Sequence, residues 1–295
     1  MKQEFKGIFT ALTTPFLEEN IFPEKLTENI NKYNQFELAG YVVGGSTGEN
    51  VYLTDEERIR LLRAAKESAA PGRKIIAGTG CESTHNTIAA TNRAADLGAD
   101  AALVILPHYY KSLMTPAALK DYYLKIADKA RIPLIIYSIP RNTGIIPPAD
   151  LIIELSQHPN ILGIKDSSGN LLLLEEAKPS MSDGSTFLLG AGSLIFPGLL
   201  RGASGGIITL GAAAPELCAQ LYGLFLEEKS EEAKNLQFDL VPLNQAVTRD
   251  FGVPGAKYVL DLRGYYGGPC RSPLLPLDDS AKAHIRNILT DLNLI

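Results

Sequence analysis

Residues 133–167, PLIIYSIPRNTGIIPPADLIIELSQHPNILGIKDS, give the clearest indication of the fold class. It holds two apolar runs, Pro133–Pro140 and Ile161–Ser167, separated by a longer amphipathic segment. Both runs are rich in Ile and Leu and lack polar alternation, which is typical of parallel strands buried on both faces. A strand, a helix and a second parallel strand make one βαβ unit, so the stretch predicts an α/β fold.

The same alternation of short apolar runs and amphipathic segments extends along the chain in both directions. Thr54 and Glu57 have the spacing of a capping box, which predicts the start of one of the intervening helices. Eight strand–helix units within roughly 230 residues favour a closed (β/α)8 TIM barrel over an open, doubly wound sheet, which stays possible. The other six predicted strands are Gly7–Leu12, Tyr41–Gly45, Lys74–Gly80, Ala101–Pro107, Thr186–Gly192 and Gly205–Gly211.

The chain after the eighth unit predicts a C-terminal helical extension. Apolar residues recur at helical spacing from Leu236 to Val247, and Pro242 within that pattern predicts a kink. We therefore expect a barrel at residues 1–227 and an extension packed on it at 228–295. Two further helices are predicted near Ala256–Leu262 and Ser280–Leu292.

Composition narrows the classes of partner. The chain has 295 residues, 45% of them apolar, which is enough for a substantial core. A net charge of −5 without a dense Lys/Arg run argues against nucleic acid, and the lack of a long apolar run argues against a membrane partner. Three scattered cysteines and no apolar leader favour a reducing, cytoplasmic location. Because the histidines and cysteines lack ligand spacing and no GxGxxG motif occurs, we expect no metal and no other cofactor.

Lys165 is the most informative candidate for catalysis. In a TIM barrel the active site lies at the C-terminal ends of the strands, and Lys165 follows the apolar run Ile161–Ile164. A desolvated lysine favours the neutral amine, which attacks a ketone and forms an iminium ion. The iminium is an electron sink for making or breaking carbon–carbon bonds. The alternative is a lysine that extends to solvent or pairs with Asp166.

Three further positions at strand ends are candidates. Tyr137 ends the strand before Lys165, where a phenol either shuttles protons or only fills space. The Gly44–Gly48 loop offers backbone amides and the hydroxyls of Ser46 and Thr47 to a carboxylate, aided by the helix that follows, although it is equally read as a plain turn. Gly190 lies at the end of the seventh predicted strand, where many barrels bind phosphate; without a basic residue nearby except Arg201, we interpret it as a close-approach position lining the pocket.

Three motifs occur in an order that is far more specific than any one of them. They are Gly45–Glu49, Tyr137 and Ile164–Ser167. On these motifs the chain, from about Gly7 to about Leu277, resembles the dihydrodipicolinate synthase / N-acetylneuraminate lyase family of class I aldolases. The resemblance implies that Lys165 is the Schiff-base lysine, Tyr137 the proton shuttle, Ser46 and Thr47 the ligands of the pyruvyl 1-carboxylate, and Ser167 a contact of the substrate hydroxyl or far end.

The resemblance also implies an assembly. Tyr109 is similar to the family tyrosine that crosses a tight-dimer interface, with Tyr110 as the alternative one residue away. Members of the family are usually tetramers, so we expect a homotetramer built as a dimer of dimers, with pyruvate as the small-molecule partner.

Short segments within the chain resemble 4-hydroxy-2-oxoglutarate aldolase, among them Gly80–Thr84 and Gly264–Arg271. Asn142 stands where the synthase branch has an arginine, and Arg141 lies one position earlier. We therefore expect cleavage of 4-hydroxy-2-oxoglutarate to pyruvate and glyoxylate, with Asn142 among the substrate-binding residues. The alternatives are the synthase that condenses pyruvate with aspartate semialdehyde, and an aldolase or dehydratase of 2-oxo-3-deoxy sugar acids. A non-catalytic 2-oxo acid binder is disfavoured by the combination of Lys165, Tyr137 and the loop that carries Ser46 and Thr47.

Overall fold

Ten short strands appear in the computed structural model, which describes residues 5–295. They are β1 (Gly7–Ala11), β2 (Phe16–Leu17), β3 (Asn20–Ile21), β4 (Gly40–Val43), β5 (Lys74–Gly78), β6 (Ala101–Ile105), β7 (Leu134–Ser138), β8 (Ile161–Asp166), β9 (Thr186–Leu189) and β10 (Gly205–Ile208). All except β2 and β3 form a closed parallel barrel in the order β1-β10-β9-β8-β7-β6-β5-β4. The predicted (β/α)8 TIM barrel is confirmed.

All eight predicted strands are confirmed, and the predicted ends are slightly too long. The run Pro133–Pro140, for example, contains β7 at Leu134–Ser138. Apolar residues continue past the last ladder hydrogen bond into the loop, so composition alone overshoots the end of each strand. The antiparallel ribbon of β2 and β3 was not predicted, because two-residue strands carry no periodicity.

The helices lie between the barrel strands and after them. They are α1 (Pro23–Tyr33), α2 (Asp55–Ser68), α3 (Thr84–Asp96), α4 (Pro116–Ala127), α5 (Pro140–Thr143), α6 (Ala149–Ser156), α7 (Leu172–Ala177), α8 (Ile195–Leu200), α9 (Leu210–Ala213), α10 (Pro215–Leu226), α11 (Ser230–Gln245), α12 (Gly252–Leu262) and α13 (Asp279–Asp291). The capping box is confirmed, since the Thr54 amide donates to Glu57 Oε2 at 2.9 Å while Thr54 Oγ1 accepts from the Glu57 amide at 3.2 Å.

The predicted C-terminal helices are confirmed as α11, α12 and α13. Pro242 lies inside α11, which continues to Gln245 and then widens into a π-helical turn at Ala246–Asp250. The loss of regular α-helix thus falls four residues after the proline. Among the described residues, no helix is long and apolar enough to cross a membrane.

The chain divides into two compact units. Of the described residues, one unit contains 5–7 and 76–206, and the other contains 8–75 and 207–295. The first unit carries β6 to β9, and the second carries β1, β4 and the C-terminal helices. The predicted boundary between residues 227 and 228 stays a prediction.

A glycine in β8 fixes how closely this strand meets its neighbour. Gly163 has φ 150°, and a Cβ atom on it would lie 1.8 Å from the carbonyl oxygen of Thr186 on β9. No other residue allows this approach without moving one strand. Gly163 lies two residues before Lys165 in β8, so the same contact fixes the position of Lys165 relative to β9.

Candidate active site

Lys165 and Tyr137 are neighbours across the β7–β8 ladder. Their Cα atoms are register partners, and the Lys165 Nζ lies 4.1 Å from the centroid of the Tyr137 ring. Only 6% of Lys165 and 4% of Tyr137 is exposed, so both side chains are buried. Side chains alternate along a strand, which places both of these groups on the same face of the sheet.

Gly190 shapes the space beside this pair. A Cβ atom at this position would lie 1.8 Å from Ser167 Oγ and 3.1 Å from Lys165 Cε. The Gly190 amide donates to the carbonyl oxygen of Asp166 at 2.7 Å, which holds the two strand ends together. Four predicted site residues, namely Lys165, Tyr137, Ser167 and Gly190, are therefore brought together in this unit.

Asp166 is a buried carboxyl group directly after the lysine. Burial raises its pKa above the ordinary value, while hydrogen bonds from Ser168 lower it in part. Ser168 Oγ lies 2.5 Å from Asp166 Oδ2. Because successive residues of a strand point to opposite faces, Asp166 lies on the face away from Lys165.

Asn142 lies on α5, the short helix after β7. Its side chain is exposed, and its backbone N–H donates to the carbonyl oxygen of Ile139 at 3.0 Å. The residue is thus part of a helical turn, with Arg141 exposed beside it. Its predicted role as a contact of the substrate stays a prediction.

Tyr109 lies in the loop after β6 and is 78% exposed. Its ring packs edge-on against Tyr110, with 5.1 Å between the ring centroids. The carboxylate of Glu82 accepts the amide N–H groups of His108 and Tyr109, both at 2.9 Å. Glu82 was not recognised from the sequence, although it lies two residues after Gly80 in the segment Gly80–Thr84. An exposed tyrosine is what an interface residue requires, and that role stays a prediction.

Ser46 and Thr47 lie in the second unit, on a 3-10 turn at Ser46–Gly48 that follows β4. Thr47 Oγ1 lies 2.7 Å from Thr209 Oγ1, which orients the hydroxyl. The helix α2 begins at Asp55, as the capping box predicted, and a further 3-10 turn at Asn50–Tyr52 separates its N-terminus from the Ser46–Gly48 turn. The 3-10 turn thus positions the two residues, and Thr209 orients the hydroxyl of Thr47.

A buried charged cluster beside this turn was missed by the sequence reasoning. The Lys257 Nζ lies 2.6 Å from Glu49 Oε1, and 1% of each side chain is exposed. Burial lowers the pKa of Lys257, and the Glu49 carboxylate raises it in part. The available signal was a lone lysine within the apolar run of α12, where the neighbouring Ala256 and Val259 are buried.

The whole chain is similar to one family of proteins. Residues 4–292 match the model described as the dihydrodipicolinate synthetase family. The chain belongs to the dihydrodipicolinate synthetase family. A 4-hydroxy-tetrahydrodipicolinate synthase of Exiguobacterium sp. is 33% identical, covering 98% of this chain and 98% of the relative. The corresponding protein of Methanothrix thermoacetophila is 31% identical, covering 98% and 97%.

A solved structure extends the likeness to three dimensions. The chloride-inhibited dihydrodipicolinate synthase of Acinetobacter baumannii, complexed with pyruvate, superposes with a TM-score of 0.91 at 29% identity. The match covers 98% of this chain and 99% of the other. As a member of this family the protein is an enzyme, a lyase of the class I aldolase type.

The expectation of a 4-hydroxy-2-oxoglutarate aldolase is wrong. Relatives matched over nearly the whole chain are named 4-hydroxy-tetrahydrodipicolinate synthase. The expectation depended on short segments and on Asn142. This residue lies on an exposed turn, and its backbone N–H forms a hydrogen bond within that turn.

Proposed function

We propose that this protein is a 4-hydroxy-tetrahydrodipicolinate synthase, which condenses pyruvate with aspartate semialdehyde. The observation that carries the proposal is the buried Lys165 amine 4.1 Å from the Tyr137 ring, in a chain similar to such synthases from end to end. A family relative with pyruvate bound supports the first substrate.

The chemistry follows from the amine. Lys165 Nζ adds to the ketone carbon of pyruvate, and loss of water gives an iminium ion. Removal of a methyl proton gives the enamine, whose carbon attacks the aldehyde of the second substrate. Tyr137, whose phenol is buried beside the amine, carries protons to and from the carbinolamine oxygen and the new hydroxyl.

The remaining assignments rest on the family resemblance and on local geometry. Ser46 and Thr47 hold the pyruvyl carboxylate with hydroxyls that a 3-10 turn presents. Ser167 contacts the second substrate, and Gly190 leaves room for it next to Lys165. Arg141 and Asn142 on the exposed turn of α5 meet the carboxylate of aspartate semialdehyde, with Arg141 supplying the charge. Tyr109 crosses a dimer interface within a homotetramer.

Borohydride trapping tests the covalent step. Incubation with pyruvate and borohydride is expected to add a pyruvyl-derived mass to the peptide that contains Lys165, and Lys165→Ala is expected to abolish the adduct. Lys178 is the matched control, because burial lowers the pKa of this second lysine while its Nζ donates to the Ser185 carbonyl oxygen at 2.8 Å. Lys178→Ala keeps the adduct.

A turnover assay with aspartate semialdehyde then tests the second half of the reaction. We expect consumption of both substrates with multiple turnovers in the wild-type protein and none in Lys165→Ala. An adduct on a different residue overturns the assignment of Lys165. An adduct at Lys165 without turnover of aspartate semialdehyde overturns the synthase and leaves the Schiff-base chemistry.

A further inference from the structure

The buried ion pair between Glu49 and Lys257 lies next to the turn that carries Ser46 and Thr47. We propose that Glu49 and Lys257 are positioning residues, which fix this turn so that its hydroxyls bind the carboxylate of the 2-oxo acid. The inference rests on the proposed function in one respect, namely that Ser46 and Thr47 meet that carboxylate. Neither Glu49 nor Lys257 is assigned to contact the substrate.

Stability alone does not explain this ion pair. The Nζ–Oε1 distance is 2.6 Å, and both side chains are 1% exposed, so two charges have been removed from water. The desolvation cost of such a pair often exceeds its Coulombic gain, and apolar residues of the same volume would stabilise the fold as well. What a buried pair supplies and apolar residues do not is a single defined geometry.

The ammonium group is anchored from more than one direction. Besides Glu49, Lys257 Nζ donates to the carbonyl oxygen of Pro269 at 2.6 Å and lies 4.5 Å from the centroid of the Phe16 ring. These partners come from separate segments of the chain, so the position of the charge is fixed independently of the turn. Glu49 is therefore held against a stationary cation.

The second carboxylate oxygen of Glu49 is held as well. Glu49 Oε2 accepts the backbone N–H of Arg271 at 2.9 Å. The Arg271 guanidinium forms two hydrogen bonds with the carboxylate of Glu57 on α2, at 2.6 and 2.8 Å, and lies 4.5 Å from the Phe16 ring. The segment around Arg271 thus holds both the end of the turn and the start of the helix that follows it.

The backbone of Glu49 transmits this constraint to the hydroxyls. Glu49 has φ 55° and ψ 33°, a left-handed conformation that a residue with a side chain adopts at an energetic cost. In that conformation its amide donates to the carbonyl oxygen of Ser46 at 3.1 Å and closes the turn. If the carboxylate were released, Glu49 would relax to a more favourable conformation, and Ser46 and Thr47 would move with it.

The test compares the affinity for pyruvate in variants that break the pair. In Glu49→Gln and in Lys257→Met we expect the pyruvate concentration that gives half-maximal trapping at Lys165 to rise at least about tenfold, because small displacements of binding groups have effects of that order. The trapping rate at saturating pyruvate is expected to change much less. Such a split between binding and chemistry is not produced by a general loss of stability.

Glu216→Gln is the matched control. It removes the same charge from a different ion pair of the same unit, the one between Arg263 and Glu216. We expect a lower melting temperature and an unchanged half-saturation for pyruvate. Folded variants of Glu49 and Lys257 with wild-type half-saturation overturn the proposal, and so does an equal rise in Glu216→Gln.

A second measurement decides the matter if those variants do not fold. Phe16→Leu removes the ring beneath both cations, which loosens the anchoring of the Lys257 ammonium against Glu49 without deleting either charge. Amide hydrogen exchange of the peptide containing residues 45–50 is expected to be faster than in the wild-type protein, and unchanged exchange overturns the proposal. If wild-type protein forms no adduct with pyruvate, it is the proposed function that fails, and exchange in this peptide still tests whether the pair fixes the turn.

Discussion

The close packing around Gly190 predicts that Gly190→Ala displaces Lys165. Replacing Gly190 by alanine is acceptable to the backbone, since Gly190 is not among the glycines with positive φ. The new methyl group, however, would lie 2.8 Å from Ser167 Cβ and 3.1 Å from Lys165 Cε. Ordinary contact begins at 3.4 Å, so these two carbons must move by about 0.6 and 0.3 Å.

These displacements set the expected magnitude. Ser167 Oγ can rotate away, but Ser167 Cβ moves only with the backbone of the strand end. Overpacking of this kind costs about 1–3 kcal/mol of unfolding free energy. A misplacement of about 1 Å typically costs on the order of 10²-fold in rate, so shifts of a few tenths of an ångström predict roughly a tenfold slower formation of the pyruvate adduct at Lys165 in Gly190→Ala.

The assay is single-turnover trapping with borohydride at saturating pyruvate, with the melting temperature measured on the same preparation. Gly223→Ala is the control, because it makes the same chemical change at a helical glycine with no atom within 4 Å of the new Cβ. We expect Gly223→Ala to trap pyruvate at the wild-type rate. A wild-type trapping rate in Gly190→Ala would contradict this prediction, since the methyl group would then have been accommodated without moving the amine.

Two further predictions concern the neighbours of Lys165. Tyr137→Phe is expected to fold normally and to slow turnover by roughly 10²–10⁴, because it keeps the buried ring and removes the proton carrier; near wild-type turnover would make Tyr137 a packing residue. Asp166 has a pKa raised by burial, so the stability it contributes is fully present below its unfolded pKa and is lost as the pH rises through the folded value. The melting temperature of Asp166→Asn, relative to wild type, is therefore expected to be higher at pH 7 than at pH 4; a difference that does not change with pH would contradict this.

The error over the second substrate shows the weight that single residues carry in sequence reasoning. The expectation assumed that Asn142, in place of an arginine, removes a charged contact with the second substrate. Asn142 lies on an exposed turn, where such a loss does not by itself exclude the synthase reaction. Similarity over the whole chain integrates many positions and favours the synthase. Substrate choice depends on the joint shape of several loops, which the identity of one residue does not report.

The barrel and the placement of Lys165 next to Tyr137 could be predicted from the amino-acid sequence alone. Both follow from local rules, since apolar runs without alternation predict parallel strands and consecutive strands of a barrel are neighbours. Adjacent strands then bring their C-terminal residues side by side, as the register partners Tyr137 and Lys165 show. The pairing of Glu49 with Lys257, which lie about two hundred residues apart in the sequence, became visible only in the three-dimensional structure. The sequence does not show which oppositely charged residue will pair with a buried charge, because the long-range folding of the chain determines which groups become neighbours.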